Sequence, residues 1–273
     1  MQLTNQIKSI AIGSFDGIHL GHKALIDQAE AVVVIERNGG YLTPGYKRAF
    51  EVDKPIFFYH FEKIRSLLAH EFVAKLNEDF PKLDTIVVGY DFEFGFKKEG
   101  NTKRLQELFN GEVIVVDEVK VEGVSVHSRT IKGYLHQGEI ERVNLLLGRA
   151  YRVEGRVIKG QGLGAKALVP TLNLNIYDYQ LPKDGVYATR TKVGREWLPS
   201  VSFIGLRVTT DGSFAVETHI LNRDIEVTQG RVELEFIALI RENKKFDSLE
   251  SLKKQIESDM IQSKNILSNK GYV

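Results

Sequence analysis

The 273-residue sequence predicts an α/β domain with a doubly wound parallel sheet, followed by a small antiparallel β-barrel and a C-terminal helix. Three observations predict it. Apolar β-branched runs alternate with helix-like stretches over the first half, strands follow one another without helices over the second, and a helical apolar spacing closes the chain. The length agrees with two domains at a prior of about 150 residues each, and the change of texture after Gly148 divides them into 1–147 and 148–273.

In chain order, Ile10 to Ile12 is a short apolar run, followed by a glycine-rich turn and a helical pattern carrying Leu20, Ala24, Leu25 and Ala29. The run Ala31 to Ile35 comes next. Strand, turn, helix and strand within about 30 residues make a βαβ unit, which requires a parallel sheet and a right-handed crossover. Further runs at Thr85 to Val88 and Val113 to Val116 follow the helix-like stretches Ala69 to Leu76 and Lys103 to Phe109, and Ile131 to Leu147 has the helical spacing that ends this half. Beyond Gly148, the segments Tyr151 to Ile158, Val186 to Val193, Ser200 to Phe203, Phe214 to Leu221 and Arg231 to Ile240 are rich in β-branched and aromatic residues between Gly, Asp and Asn turns. Leu249, Leu252, Ile256 and Met260 give the stretch Ser248 to Ser263 a helical face that packs on the barrel.

Composition narrows the function. Thirty-seven basic residues against 36 acidic ones leave no net field to draw the chain onto nucleic acid or a membrane, so small-molecule partners are expected. The absence of cysteine excludes disulfides, thiolate metal sites and a cysteine nucleophile. Asp16 and His19 interrupt the opening stretch where a signal peptide needs an unbroken apolar core, and no run approaches the roughly 18 apolar residues of a membrane span. A soluble, uncleaved, cytoplasmic protein is expected.

Two segments carry chemistry by position. Gly13-Ser14-Phe15-Asp16-Gly17-Ile18-His19-Leu20-Gly21-His22 lies at a strand-to-helix turn, where an open parallel sheet places its ligand crevice. Its glycines allow close backbone approach, the helix start offers N–H groups to phosphate, and His19 and His22 add donors. The same pair also reads as a helix cap or a zinc pair. In the second half, a glycine-rich stretch with Gly160, Gly162 and Gly164 precedes Pro170-Thr171-Leu172-Asn173. Thr171 and Asn173, two apart on an extended segment, present hard oxygen ligands suited to Mg²⁺ on ATP phosphates.

The string GSFDGIHLGH resembles the HxGH signature of the nucleotidyltransferase superfamily, in the form carried by bacterial bifunctional riboflavin kinase/FAD synthetases. This resemblance implies a Rossmann-like α/β nucleotidyltransferase domain that adenylylates FMN, with His19 and His22 catalytic and Gly13, Phe15, Asp16, Gly17 and Gly21 around the nucleotide. Gly89-Tyr90-Asp91-Phe92-Glu93-Phe94-Gly95 resembles the family's GxDFxFG motif, which implies that Asp91 and Phe92 shape the FMN pocket. Val126-His127-Ser128-Arg129-Thr130-Ile131-Lys132 stands where the family has an ISSTRIR-like phosphate-contacting stretch. Ser128 and Lys132 keep their places, Arg129 and Thr130 are exchanged, and His127 replaces a serine. The region Ile35 to Phe61 is shorter than the family norm.

The segment GRVIKGQGLGAKALVPTLN is similar to the riboflavin kinase pattern, a glycine-rich loop before PTxN. It implies that Gly160 and Gly164 bind nucleotide and that Thr171 and Asn173 hold Mg²⁺. Ala165 and Leu168 depart from the family's arginine and glycine. Glu217 matches the family's glutamate on an inner barrel strand, the base or acceptor for the riboflavin 5′-hydroxyl. Gly185-Val186-Tyr187, Ile204-Gly205, Arg241 with Lys245-Phe246, and Asp259 also match; Arg241 and Phe246 read either as lining the flavin side or as core or surface residues. The substrates implied are riboflavin, FMN and ATP; the products are FMN, ADP, FAD and pyrophosphate. The alternatives are a riboflavin kinase with an impaired adenylyltransferase half, a flavin-binding sensor without turnover, and a cytidylyltransferase for another phosphorylated alcohol.

Overall fold

The computed structural model describes residues 6–37, 41–159, 169–209, 211–223 and 229–272. Gly160 and Gly164 lie outside the described residues, as do Ala165 and Leu168. The chain divides into two compact units, 1–128 and 129–273.

The first unit is built on five parallel strands, β1 (Ser9–Gly13), β2 (Ala31–Glu36), β3 (Ile56–His60), β4 (Thr85–Gly89) and β5 (Glu112–Val116), in the order β3-β2-β1-β4-β5. A parallel sheet is covered on both faces, so its central strands read as continuous apolar runs rather than as alternation. Ile10, Ile12, Val33, Ile86 and Val88 face a layer containing Phe72, Leu76 and Leu105. Ala11, Val32, Val34 and Val87 face the opposite layer with Ile18 and Ile26. The helices are α1 (Leu20–Ile26), α2 (Phe61–Ile64), α3 (Ala69–Asp79) and α4 (Thr102–Leu108). In α3, Ala69, Phe72, Val73 and Leu76 bury one face at helical spacing, and the Glu71 carboxylate accepts a hydrogen bond from Leu68 N at 2.7 Å. Pro81, two residues past Asp79, bars continuation. Strand β3 was not among the expected runs, although Ile56-Phe57-Phe58-Tyr59 has the β-branched and aromatic composition of a strand; it lies at the sheet edge, its first four residues half-buried. A small hairpin, β6 (Lys120–Val121) with β7 (Val124–Ser125), ends the unit.

In the second unit, the helical pattern over Ile131 to Leu147 becomes two helices, α5 (Ser128–Gln137, begun at the last residue of the first unit) and α6 (Ile140–Leu147). Gly138 separates them at φ 81°, where a side chain would also meet Leu239 at 3.0 Å. Helix α6 is tied to the barrel by Asn144, whose amide donates to Phe236 O at 2.9 Å and accepts from Tyr151 N at 2.7 Å. The barrel strands are β8 (Tyr151–Ile158), β9 (Leu172–Ile176), β10 (Gly185–Val193), β11 (Glu196–Leu206), β12 (Phe214–Ile220) and β13 (Arg231–Glu242), closed in the order β10-β11-β12-β9-β8-β13. Closure leaves no unpaired edge.

Side-chain alternation sends Leu172, Leu174, Val216 and Ile220 inward, so Asn173 and Glu217 face outward. Glu217 therefore lies on the outer face of its strand. One flank of the interior is polar. The hydroxyls of Thr189, Ser200, Thr191, Thr218 and Ser202 close a ring with successive distances of 2.8, 2.8, 3.0 and 2.9 Å and a final Ser202–Thr189 contact of 2.7 Å. Each residue is at most 1% exposed. With one O–H apiece, a single circuit of donation satisfies every donor, and Ser202 donating to Thr218 sets its sense. Helix α7 (Leu249–Asn269) starts at an N-cap where Ser248 accepts from Ser251 N, and it runs past the expected end at Ser263. It covers Val186, Ala188, Val201 and Ile237 with Met260, Ile266 and Leu267. Ser263 donates to Ser200 O at 2.8 Å.

Candidate active sites

The first site lies at the topological switch point of the parallel sheet. Strands β1 and β4 are neighbours with Ala11 opposite Val87, so they end level at Gly13 and Gly89, where the strand order reverses. Ligands of open α/β sheets bind outside such carboxyl ends. Both sequence segments, Gly13–His22 and Gly89–Gly95, leave the sheet here side by side.

The first loop is tightly wound. Phe15, Gly17 and Ile18 take φ values of 48°, 96° and 42°, a left-handed backbone that costs a bulky or β-branched residue energy. Burial of both side chains holds it in place: Phe15 and Ile18 are 0% exposed. Asp16 anchors the loop by accepting from Leu42 N at 2.8 Å and Thr43 N at 3.1 Å. His19 caps α1, its Nδ1 accepting from His22 N at 3.2 Å, so the proton of the neutral ring is on Nε2. The His19 and His22 rings stack at 3.5 Å, and Phe15 meets His22 edge-on at 5.2 Å. The cap reading and the paired-imidazole reading thus describe one arrangement. Gly21 is closely packed: a Cβ there would lie 3.1 Å from Val126 O and 3.2 Å from the His19 ring, so a side chain would have to push one of them aside.

Within the first unit, Ser128 Oγ donates to Asp16 O at 2.7 Å. Arg129 and Lys132 lie in the first two turns of α5. The replacement at His127 has its own partners. Its Nε2 lies 3.2 Å from the Tyr90 hydroxyl and 3.6 Å from Glu118, which joins the second and third segments. The Ser125 hydroxyl at 2.5 Å and then Lys120 hold the Glu118 carboxyl down at about 2. Partial burial, with the negative charges of Glu118 and Asp91, raises the Tyr90 phenol above its ordinary value. Phe92 stacks on Phe94 at 5.5 Å against the sheet core, and Asp91 folds back over Gly89.

The second site is made by strand pairing. Glu217 on β12 is directly opposite Asn173 on β9, and both project from the outer face. Arg207, which the sequence reading did not single out, joins them. Its Nε and Nη2 donate to Glu217 Oε1 at 2.9 and 2.6 Å, Nη2 also donates to Asn173 Oδ1 at 2.8 Å, and Nη1 donates to Ser213 Oγ at 2.7 Å. Its one signal in the sequence is its place just beyond Ile204-Gly205-Leu206, across a short turn from the Glu217 strand. Thr171 lines a small cleft with Pro170, His219 and Arg223, and His219 Nδ1 donates to Pro170 O at 2.7 Å. Arg241 belongs to the seam with α7: its Nε and Nη2 reach Asp259 at 3.0 and 2.8 Å, and the Phe246 ring lies 5.5 Å from its guanidinium.

A switch-point loop with paired imidazoles and a barrel with an amide–carboxylate pair are arrangements that suit a two-site transferase. Comparison with known proteins makes this specific. The riboflavin kinase family model matches residues 147–267, and the FAD synthetase model matches 2–37 and 46–130, with its gap inside the shortened stretch. The bifunctional riboflavin kinase/FMN adenylyltransferase of Pseudomonas fluorescens is 30% identical, over 91% of this chain and 89% of its own length. That of Listeria monocytogenes is 29% identical, over 92% and 90%. A crystal structure described as a macrolide-efflux protein from Streptococcus pneumoniae superposes with a TM-score of 0.84 at 25% identity, covering 97% of this chain and 98% of that one. Among the described residues, no helix is long and apolar enough to cross a membrane. The chain belongs to the bifunctional riboflavin kinase/FMN adenylyltransferase family.

Proposed function

We propose that the barrel site phosphorylates riboflavin to FMN and the switch-point site adenylylates FMN to FAD, both from ATP, with the functional division near 147/148. The cross-strand pairing of Asn173 with Glu217 carries this reading: closure of the barrel brings the nucleotide-side amide and the acceptor carboxylate onto one face. The flavokinase match beginning at residue 147 supports the division.

In the kinase step, the riboflavin 5′-oxygen attacks the γ-phosphorus, its proton passes to Glu217 and ADP leaves. Thr171 and Asn173, two apart on the outward parity at the start of β9, offer a hydroxyl and an amide oxygen, and the Asn173 Oδ1 that accepts from Arg207 keeps a second lone pair, so these hard donors fit Mg²⁺. When bound, the ion neutralises charge on the ATP phosphates. In the adenylyl step, an FMN phosphate oxygen attacks the α-phosphorus and pyrophosphate leaves. His19 Nε2–H and His22 stabilise the charge that develops there, in a loop whose backbone is already set. Asp91 and Phe92 border the FMN side. The enzyme works in the cytoplasm.

Incubation with riboflavin, ATP and Mg²⁺, followed by chromatography, is expected to show FMN and then FAD. Riboflavin left unconverted would refute the kinase assignment, and FMN accumulating without FAD would refute the adenylyl assignment.

A further inference from the structure

Arg207 stands at the end of β11 on the outward parity of Phe203 and Gly205, the face that Glu217 shares across the ladder. It is held from behind as well as in front. Ser213 accepts from Nη1 and in turn donates to Asp211 at 2.9 Å, and Arg207 N donates to Ser213 O at 2.9 Å. Gly205, one residue pair away on the same face, takes φ 137°, and a Cβ there would meet Asp184 at 2.7 Å, so no side chain intervenes. The Arg207 side chain is 16% exposed and that of Glu217 25%, a sheltered pair rather than a solvated surface bridge.

The geometry has a chemical consequence. Two donors of one planar group converge on Glu217 Oε1, so that oxygen is occupied and the carboxylate plane cannot turn freely. Among the described residues, Oε2 takes no hydrogen bond, which leaves it as the oxygen for a substrate proton. The same Nη2 sets the Asn173 amide with its oxygen toward the guanidinium. A lysine, as a point charge on a flexible stem, provides no such fork.

We propose that Arg207 is a positioning residue of the kinase reaction. It turns Glu217 so that Oε2 takes the 5′-hydroxyl proton as the bond from oxygen to the γ-phosphorus forms and the bond to the β–γ bridging oxygen breaks. It also locks Asn173 to the same frame. This inference rests on the assignment of Glu217 as proton acceptor.

The test measures steady-state riboflavin phosphorylation in R207A and R207K, with FMN-to-FAD conversion by the same samples as the control for folding. For R207A, kcat is expected to fall about 10²-fold, the scale of a misplaced catalytic group, while KM for riboflavin and for ATP changes less than about threefold. Added methylguanidinium chloride should restore part of the R207A rate, and R207K should remain slow. An R207A kcat within about twofold of the parent, a change confined to KM, or full activity in R207K would overturn the proposal. Glu217→Gln separates the two levels. If it abolishes FMN formation while R207A does not slow it, only the role of Arg207 is lost; if it leaves FMN formation intact, the assignment of Glu217 falls as well.

Discussion

The two sites of this chain are built by different means. At the switch point, the proposed catalytic groups sit on and beside a wound loop: positive φ at Phe15, Gly17 and Ile18, an aspartate tied to Leu42 and Thr43, and a histidine used as a helix cap. In the barrel, the groups sit on regular strands, and a side-chain fork aligns them. Substitution in the loop therefore acts through backbone conformation, and substitution on the strands acts through the chemistry of the group removed.

The largest effect that sharpens this contrast is expected for Glu217→Gln, which keeps shape and hydrogen-bonding size while losing the proton acceptor. FMN formation should fall by about 10³-fold, within the range of general-base catalysis, with FMN-to-FAD conversion unchanged. Parallel loss of both activities would show that the sites are not independent. Next is His22→Ala, for which FAD formation from FMN should drop about 10²-fold at an unchanged rate of riboflavin phosphorylation. A normal FAD rate in this variant would remove the imidazole pair from the mechanism.

Smaller effects probe the frames themselves. Gly21→Ala forces a methyl within 3.1 Å of Val126 O and against the His19 ring, and about a tenfold loss of FAD formation is expected from the displaced loop. Wild-type kinetics would mean that the loop has room to relax. In the barrel, Thr189→Val opens the hydroxyl ring and leaves a buried partner unsatisfied, at a cost of about 1–3 kcal/mol in urea unfolding. An unchanged midpoint would show that the ring contributes nothing to stability.

The smallest concerns Glu118. Its folded value of about 2 lies below the ordinary 4.5, so its stabilising contribution is present above 4.5 and disappears as pH falls toward 2. Ser125→Ala removes the hydroxyl that donates to the Glu118 carboxylate and should move the Glu118 titration upward, followed by carboxyl NMR. No movement would assign the depression to Lys120 instead.

Much of this was legible before the fold. Strand β8 runs over the expected residues, and α3, α4 and β5 differ from the expected stretches by a few residues at their ends. The misses have local causes. The edge strand Ile56–His60 carries an apolar, aromatic run that lies among turn residues and follows no helical pattern, so no βα alternation marked it, and a glycine inside a helical pattern, Gly138, proved to be a break rather than a tolerated position.

What the sequence determined by itself was the inventory: two domain textures, the switch-point position of the histidine loop, and the threonine, asparagine and glutamate of the barrel. Those features are written in periodicity, turn chemistry and residue type, each confined to a short stretch of chain. Only the tertiary structure decided that Glu217 faces outward opposite Asn173, that Arg207 bridges them, and that His127 joins Tyr90 to the third segment. These facts depend on strand order, register and barrel closure, which bring together groups 34 or more residues apart in the case of Arg207 and Asn173. No local pattern encodes them, because the hydrogen bonds that fix register form between strands and not along them.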